Sequence, residues 1–274
     1  MSKINLKLKK FNMKMVDDDA VVVFIGRRRT GKSFCVRDMF YHHRDIPFLT
    51  VISATEPANE FFGKFMPKSF IFDEYDENIV TNIIKRQQML ITKMKSDKKF
   101  KKIDPRVILT LDDCLFDSEW TKHKCIRQIF MNGRHYKMMF VVTMQYPLGI
   151  PPSLRTNIDY VFLMKEPYIS NRKRIYENFA GVFPDFNVFN QVMNSLSQYE
   201  CLVVATNSQS NKLEDQVFWY KANDHENFKM GSPQFWKYHN ENYSEQEHNY
   251  KSTTGFSENY QKNKNKIKLE IEKI

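Results

Sequence analysis

Gly26-Arg27-Arg28-Arg29-Thr30-Gly31-Lys32-Ser33 follows directly on the apolar run Ala20 to Ile25 and leads into Phe34 to His43, a stretch of helical character. The octet fits GxxxxGK[ST], and a place between a buried strand and a helix is the context in which that pattern has chemical meaning. Glycines let successive backbone N–H groups curl around phosphate oxygens at a helix N-terminus. In such a loop Lys32 reaches the β and γ phosphates of a nucleotide, and the Ser33 hydroxyl ligates Mg²⁺. The expected nucleotide-binding set is Gly26, Arg27, Arg28, Arg29, Thr30, Gly31, Lys32, Ser33 and Phe34, with a nucleotide carrying β and γ phosphates and Mg²⁺ as ligands. The three arginines inside the loop are unusual. They offer phosphate contacts in cis, a contact to another subunit, or a solvated surface.

Outward from this loop, buried strands and helices alternate. Ala20 to Ile25 has the continuous Val-rich character of a strand covered on both faces of a parallel sheet. Phe48 to Ser53, Ser69 to Phe72, Val107 to Leu111, Lys137 to Met144 and Tyr160 to Met164 read as further strands. Between them, Glu77 to Lys95 forms a polar helix with Ile79, Ile83, Ile84 and Leu90 inward, and Trp120 to Met131 another. Helices near Asn171 to Phe179 and Asn187 to Leu196 precede a strand, Glu200 to Ala205, with Gln216 to Lys221 as its hairpin partner. Repeated β-then-α units predict an α/β fold, a mostly parallel, doubly wound sheet flanked by helices. At the N-terminus, Ile4, Leu6, Leu8 and then Phe11, Met13 and Met15 alternate, which predicts a half-buried edge strand broken at Lys9-Lys10. The chain thus divides into a strand extension (1–16), a P-loop domain (17–222) and a polar tail (223–274). The tail, poor in aliphatics, reads as loosely ordered or partner-dependent, with a short helix at its end.

Composition bounds the partners. With 274 residues, 42% hydrophobic and 14% aromatic, the chain can bury a substantial core as one α/β domain with additions, or as two small ones. Its four cysteines form no CxxC pair, which argues against a disulfide framework or zinc module. No apolar run approaches the roughly 18–20 residues of a membrane span, and residues 1–16, with five lysines, do not read as a signal peptide. A soluble, intracellular protein is expected. The net charge of +10 favours polyanionic partners.

Further side chains carry chemistry. Arg106 to Asp113 is an apolar strand ending in two carboxylates: Asp112 to hold Mg²⁺, directly or through water, and Asp113 to polarise the attacking water. Gln145 ends the strand Met138 to Met144 and should face the crevice of Lys32 and Asp113, because catalytic side chains collect at the carboxyl ends of parallel strands. Arg155 or Arg134 would serve as an arginine finger supplied to a neighbouring subunit, with Arg172 and Arg174 as weaker candidates. Lys98, Lys99, Lys101 and Lys102 form a basic loop, either DNA-contacting or merely solvated. His42-His43 has no partner spacing and does not read as a metal site.

Taken in order, the P-loop, Leu109-Thr110-Leu111-Asp112-Asp113-Cys114, and the run from Met131-Asn132-Gly133-Arg134-His135 through Thr143-Met144-Gln145-Tyr146-Pro147 to Leu154-Arg155-Thr156-Asn157-Ile158-Asp159-Tyr160 resemble the poxvirus-type genome-packaging ATPases of nucleocytoplasmic large DNA viruses, within the FtsK/HerA group of P-loop translocases. The resemblance spans roughly residues 18 to 210. It implies a RecA-like fold, ATP hydrolysis with Mg²⁺, and a homo-oligomeric ring of five or six subunits around double-stranded DNA. The implied role is pumping a viral genome into a preformed capsid, with a capsid vertex or membrane-associated protein as partner, in the host cytoplasm at virus factories and in the virion. Asp113 departs from the Glu that many relatives carry. Two other readings use the same P-loop: a nucleotide or nucleoside kinase, which has less need of a water activator, and an ATP-dependent switch.

Overall fold

A computed structural model describes residues 6–114 and 120–244. In chain order its strands are β1 (Lys9–Lys10), β2 (Val21–Ile25), β3 (Phe48–Ser53), β4 (Ile71–Phe72), β5 (Val107–Asp112), β6 (Met138–Met144), β7 (Tyr160–Met164), β8 (Glu200–Ala205) and β9 (Val217–Lys221). They form one sheet in the order β1-β9-β8-β7-β2-β6-β5-β3-β4. Every neighbouring pair is parallel except β7 with β8 and β8 with β9, so β8 alone among the described strands runs against the rest. The mostly parallel α/β sheet expected from the sequence is present.

The helices cover both faces. They are α1 (Lys32–His42), α2 (Glu56–Asn59), α3 (Glu77–Ser96), α4 (Lys124–Asn132), α5 (Pro152–Arg155), α6 (Ile169–Phe179), α7 (Phe186–Ser195) and α8 (Pro233–Asn242). Alternation along β2 shows how one strand serves two cores. Val21, Val23 and Ile25 pack with Ile83 and Ile84 of α3, Ile126 of α4 and Ile175 of α6. Val22 and Phe24 turn to the other face and meet Val36, Met39 and Phe40 of α1. Each such side chain contributes roughly 1.5–3 kcal/mol relative to leaving it in water. A strand buried on both sides therefore needs its unbroken apolar run.

Several expected elements shift. Over the described residues the N-terminal alternation does not make a continuous strand: among them only Lys9–Lys10 pairs, parallel to β9, and Met13–Met15 is a 3-10 turn in which the Asn12 side chain accepts from Lys14 N. Phe11 and Met13 are buried while Met15 is 47% exposed, so period two ends where the turn begins. The helix expected at 120–131 resolves into a turn at Trp120–Lys122 followed by α4. Lys98–Lys102 is a 3-10 turn started by the Asp97 carboxylate. Residues 223–244, read as loosely ordered, are packed in the structure. They pass along α1, where Phe228 meets Tyr41 edge-on; Phe228 also stacks on Phe65 beyond α2, and α8 sets Phe235 against Phe48 and Phe70. This segment is poor in aliphatics but holds by aromatic, histidine and backbone contacts. The helix expected at the chain's end, and residues 1–5 of the N-terminal extension, lie outside the described residues.

Because β2, β3, β5 and β6 are parallel, their carboxyl ends share one edge of the sheet. Cross-strand register sets Ser53 beside Asp112 and Asp112 beside Thr143. The site is built on that edge.

Candidate active site

The P-loop leaves β2 at Gly26, whose N–H donates to Met144 O at 3.0 Å. A Cβ on Gly26 would lie 2.4 Å from Met164 Cβ, so no larger residue fits between β2 and β7. Gly31 caps α1 with φ 98°, a left-handed conformation that glycine adopts without penalty. Arg29 and Asp113, with φ of 63° and 50°, hold the same unfavourable region without being glycine. Strain of this kind persists only where the surroundings enforce it, and here both residues line one cleft.

That cleft, of about 850 Å³, lies between the P-loop, the β3–α2 turn and the ends of β5 and β6. Arg27, Arg28, Arg29, Gly31, Lys32, Ser33, Phe34, Asp112, Asp113 and Gln145 all line it, so the structure brings most of the expected site residues together. Gly26 and Thr30 shape the loop from beneath, and Thr30 Oγ1 donates to Arg27 O at 2.7 Å. Lys32 Nζ donates to Gly26 O at 2.6 Å and to Arg27 O at 3.2 Å. Burial lowers its pKa, and the charges of Asp113 and Asp112 act against that shift.

Asp112 is 8% exposed and is fixed by its strand neighbours. Thr143 Oγ1 donates to Oδ1 at 2.7 Å, and Ser53 Oγ donates to Oδ2 at 2.8 Å. Burial pushes the Asp112 carboxyl up, while the two hydroxyls favour the ionised form. Asp113 turns the chain so that its N–H donates to Thr143 Oγ1 at 3.0 Å, and Gln145 Nε2 donates to Asp113 Oδ2 at 3.0 Å. Gln145 thus meets the second carboxylate directly.

Sequence reasoning missed Ser53, Thr55, Asn59, Phe61 and Tyr146. Ser53 is seen only through register; Asn59 reaches the cleft from the end of α2, and Thr55, Phe61 and Tyr146 from loops whose course depends on tertiary packing. A second cavity of about 590 Å³ adjoins the P-loop, with Phe34 and Tyr199 on its walls.

The arginines expected to act as fingers are not in this chain's own cleft. Arg155 Nε donates to Ile150 O at 2.9 Å, and its guanidinium bonds Asn178. Arg134 pairs with Asp159 at 3.1 Å, beside the start of β2 and so at the opposite edge of the sheet. Arg172 is buried in this chain, bonding Glu166 O, Asn190 and Asn194. Arg174 lies over the ring of Tyr146, 5.7 Å from its centre and next to the cleft. Lys98, Lys99, Lys101 and Lys102 are exposed just before β5, also at the far edge. No helix among the described residues is long and apolar enough to cross a membrane.

No family model matches the chain. Among solved structures, its fold is similar to the genome packaging NTPase B204 of Sulfolobus turreted icosahedral virus 2. The sulfate complex gives a TM-score of 0.51 at 15% identity over 76% of this chain and 99% of that one. The AMP complex gives 0.51 at 13% identity over 76% and 100%. This likeness bears out, for the fold, the resemblance to viral packaging ATPases. Among sequences, the chain is 42% identical over 241 residues to uncharacterized protein L437 of Acanthamoeba polyphaga mimivirus, covering 87% of this chain and 84% of that protein. It is 36% identical over 216 residues to uncharacterized protein 088R of Invertebrate iridescent virus 3, covering 77% and 80%. A P-loop sheet with these relatives places the chain in one family with the mimivirus protein L437 and the iridescent-virus protein 088R.

Proposed function

We propose that this protein is an ATP-driven motor subunit that moves double-stranded DNA into a viral capsid. The observation that carries the reading is the convergence of Lys32, Asp112, Asp113 and Gln145 in one cleft at the carboxyl edge of a parallel sheet. Viral relatives and the packaging-NTPase fold support it.

The donor set fits Mg²⁺: Ser33 Oγ and the Asp112 carboxylate are hard oxygen ligands, one neutral and one anionic. When bound, Mg²⁺ neutralises charge on the β and γ oxygens. Lys32 exchanges its loop carbonyls for phosphate oxygens. Asp113 orients the attacking water and accepts its proton, while Gln145 engages Oδ2 and leaves Oδ1 for the water. Arg27, Arg28 and Arg29 add phosphate contacts around the same cleft. Phe34 and Tyr199 offer exposed rings for the base in the adjoining cavity.

In a ring of five or six subunits, Arg134 or Arg155 completes the neighbour's cleft, Arg155 after leaving its bonds to Ile150 and Asn178. The lysine turn at 98–102 lies away from the cleft, where it can grip DNA phosphates without competing with nucleotide. A capsid vertex or membrane-associated viral protein would anchor the ring at the site of assembly in the host cytoplasm.

The test is steady-state ATP hydrolysis with and without long double-stranded DNA, with Lys32→Ala as the blank. The proposal expects DNA to raise the rate well above basal, the blank to be silent, and DNA binding to weaken with salt. A rate that ignores DNA, with no binding at low salt, overturns the motor reading. Phosphoryl transfer to a small acceptor would then identify a kinase.

A further inference from the structure

Behind the P-loop, α1 carries a second cluster of chemically competent side chains that the nucleotide site does not use. Asp38 is fully buried, and His42 one helical turn later lies on the same face. His225 reaches them from the segment that follows β9. His225 Nε2 lies 2.6 Å and His42 Nε2 3.4 Å from the same atom, Asp38 Oδ1. The three ligand atoms all fall within 4.8 Å of one another.

The surroundings hold these groups in place. Asp38 Oδ2 accepts from the Tyr220 hydroxyl and, at 2.8 Å, from Asn223 N–H, which fixes the carboxylate and leaves Oδ1 to the imidazoles. The His225 ring stacks on Tyr41 with centres 3.7 Å apart and planes 9° from parallel, and His42 meets the same tyrosine edge-on at 5.6 Å. Such outer contacts orient the ligands of a metal site.

We propose that Asp38, His42 and His225 bind a first-row divalent transition metal of the zinc class, which fastens the segment after β9 onto α1. Two imidazoles and a carboxylate match that ion's preference for nitrogen and oxygen donors. Tetrahedral bonds of about 2.0–2.1 Å put ligand atoms roughly 3.3 Å apart. The His42 to Asp38 distance already has that value, and His225 reaches it by sliding in its own plane across Tyr41. His42 and His225 keep 19% and 13% side-chain exposure, so water can complete the shell. Adjacent His42 and His43 diverge, with His43 Nδ1 on Asp18 at 2.9 Å, and the partners of His42 are Asp38 and the distant His225.

The experiment uses the full chain, stripped with EDTA and returned to buffer free of Mg²⁺ and nucleotide, then titrated with Co²⁺ and back-titrated with Zn²⁺. The expected result is one Co²⁺ per chain with visible bands of four-coordinate nitrogen and oxygen ligation, displaced by Zn²⁺, and a thermal midpoint raised by Zn²⁺. His225→Gln and His42→Gln, made separately so that one misfolded variant does not end the test, should each weaken binding by at least about tenfold. His239→Gln should leave it intact. Wild-type protein without these bands, or equal uptake in wild type and both variants, overturns the proposal and leaves the cluster as a hydrogen-bonded triad. Neither outcome depends on ATP hydrolysis.

Discussion

Thr143 shows how much of a site can depend on one hydroxyl. Its Oγ1 donates to Asp112 and also receives the Asp113 N–H, so it sets both carboxylates at once. Thr143→Val keeps the shape and removes both bonds. Loss of a hydrogen bond to a charged group costs about 1.5–3 kcal/mol. We expect ATP turnover to fall roughly ten- to a hundredfold and half-saturation by Mg²⁺ to rise, with Thr143→Ser restoring both. An unchanged Mg²⁺ dependence in Thr143→Val would refute this role. The P-loop was legible because its residues are contiguous, and Asp112, Asp113 and Gln145 because each ends a visibly apolar strand. Ser53 was hidden: a serine at a strand end says nothing until register sets it beside Asp112. The burial of Arg172 is not legible either, since an arginine's destination depends on which neighbours enclose it.

At the scale of elements, the segment from Ala222 to Ser232 deserves its place beside the sheet. Arg37 of α1 donates to His225 O and Glu226 O and lies 5.3 Å from the Phe228 ring centre, while Met230 N–H donates to Phe65 O at 2.8 Å. Phe228→Ala removes the stack on Phe65 and the cover of Arg37, and should destabilise the protein by about 2 kcal/mol. A urea midpoint equal to wild type would show that this segment contributes nothing to the fold. Its packing is not legible in the sequence because it is held by aromatic rings, histidine and backbone groups and not by an aliphatic pattern. At the N-terminus the opposite holds: apolar alternation continues through residues that bend into a turn at Asn12.

Over the whole molecule, the edge opposite the cleft is tied by Arg106. Its guanidinium meets Asp18 at 2.7 Å, Asp45 at 2.8 Å and Asp104 at 2.6 Å, which join the starts of β2, β3 and β5. The Arg106 hydrogen bond holds Asp104 below the usual carboxylate range. Burial would raise Asp18, but Arg106 and His43 bring it below as well. Lowered folded pKa values stabilise the protein fully above the unfolded value of about 4, and the gain drains away as pH falls through the folded ones. These partly exposed pairs contribute only about 1 kcal/mol after solvent screening. Arg106→Met should therefore lower the urea midpoint at pH 6 and differ less from wild type below pH 4. A gap independent of pH would assign the effect to packing instead.

Among the described residues the sheet ends on one side at β1 and on the other at β4, each two residues long, and β1 is a pair of exposed lysines. So short a border has almost no ladder to lend, and charge repels an arriving strand. A border that short and that charged offers a second copy of this chain little backbone to pair with, so over the described residues the sheet is closed to growth by strand addition.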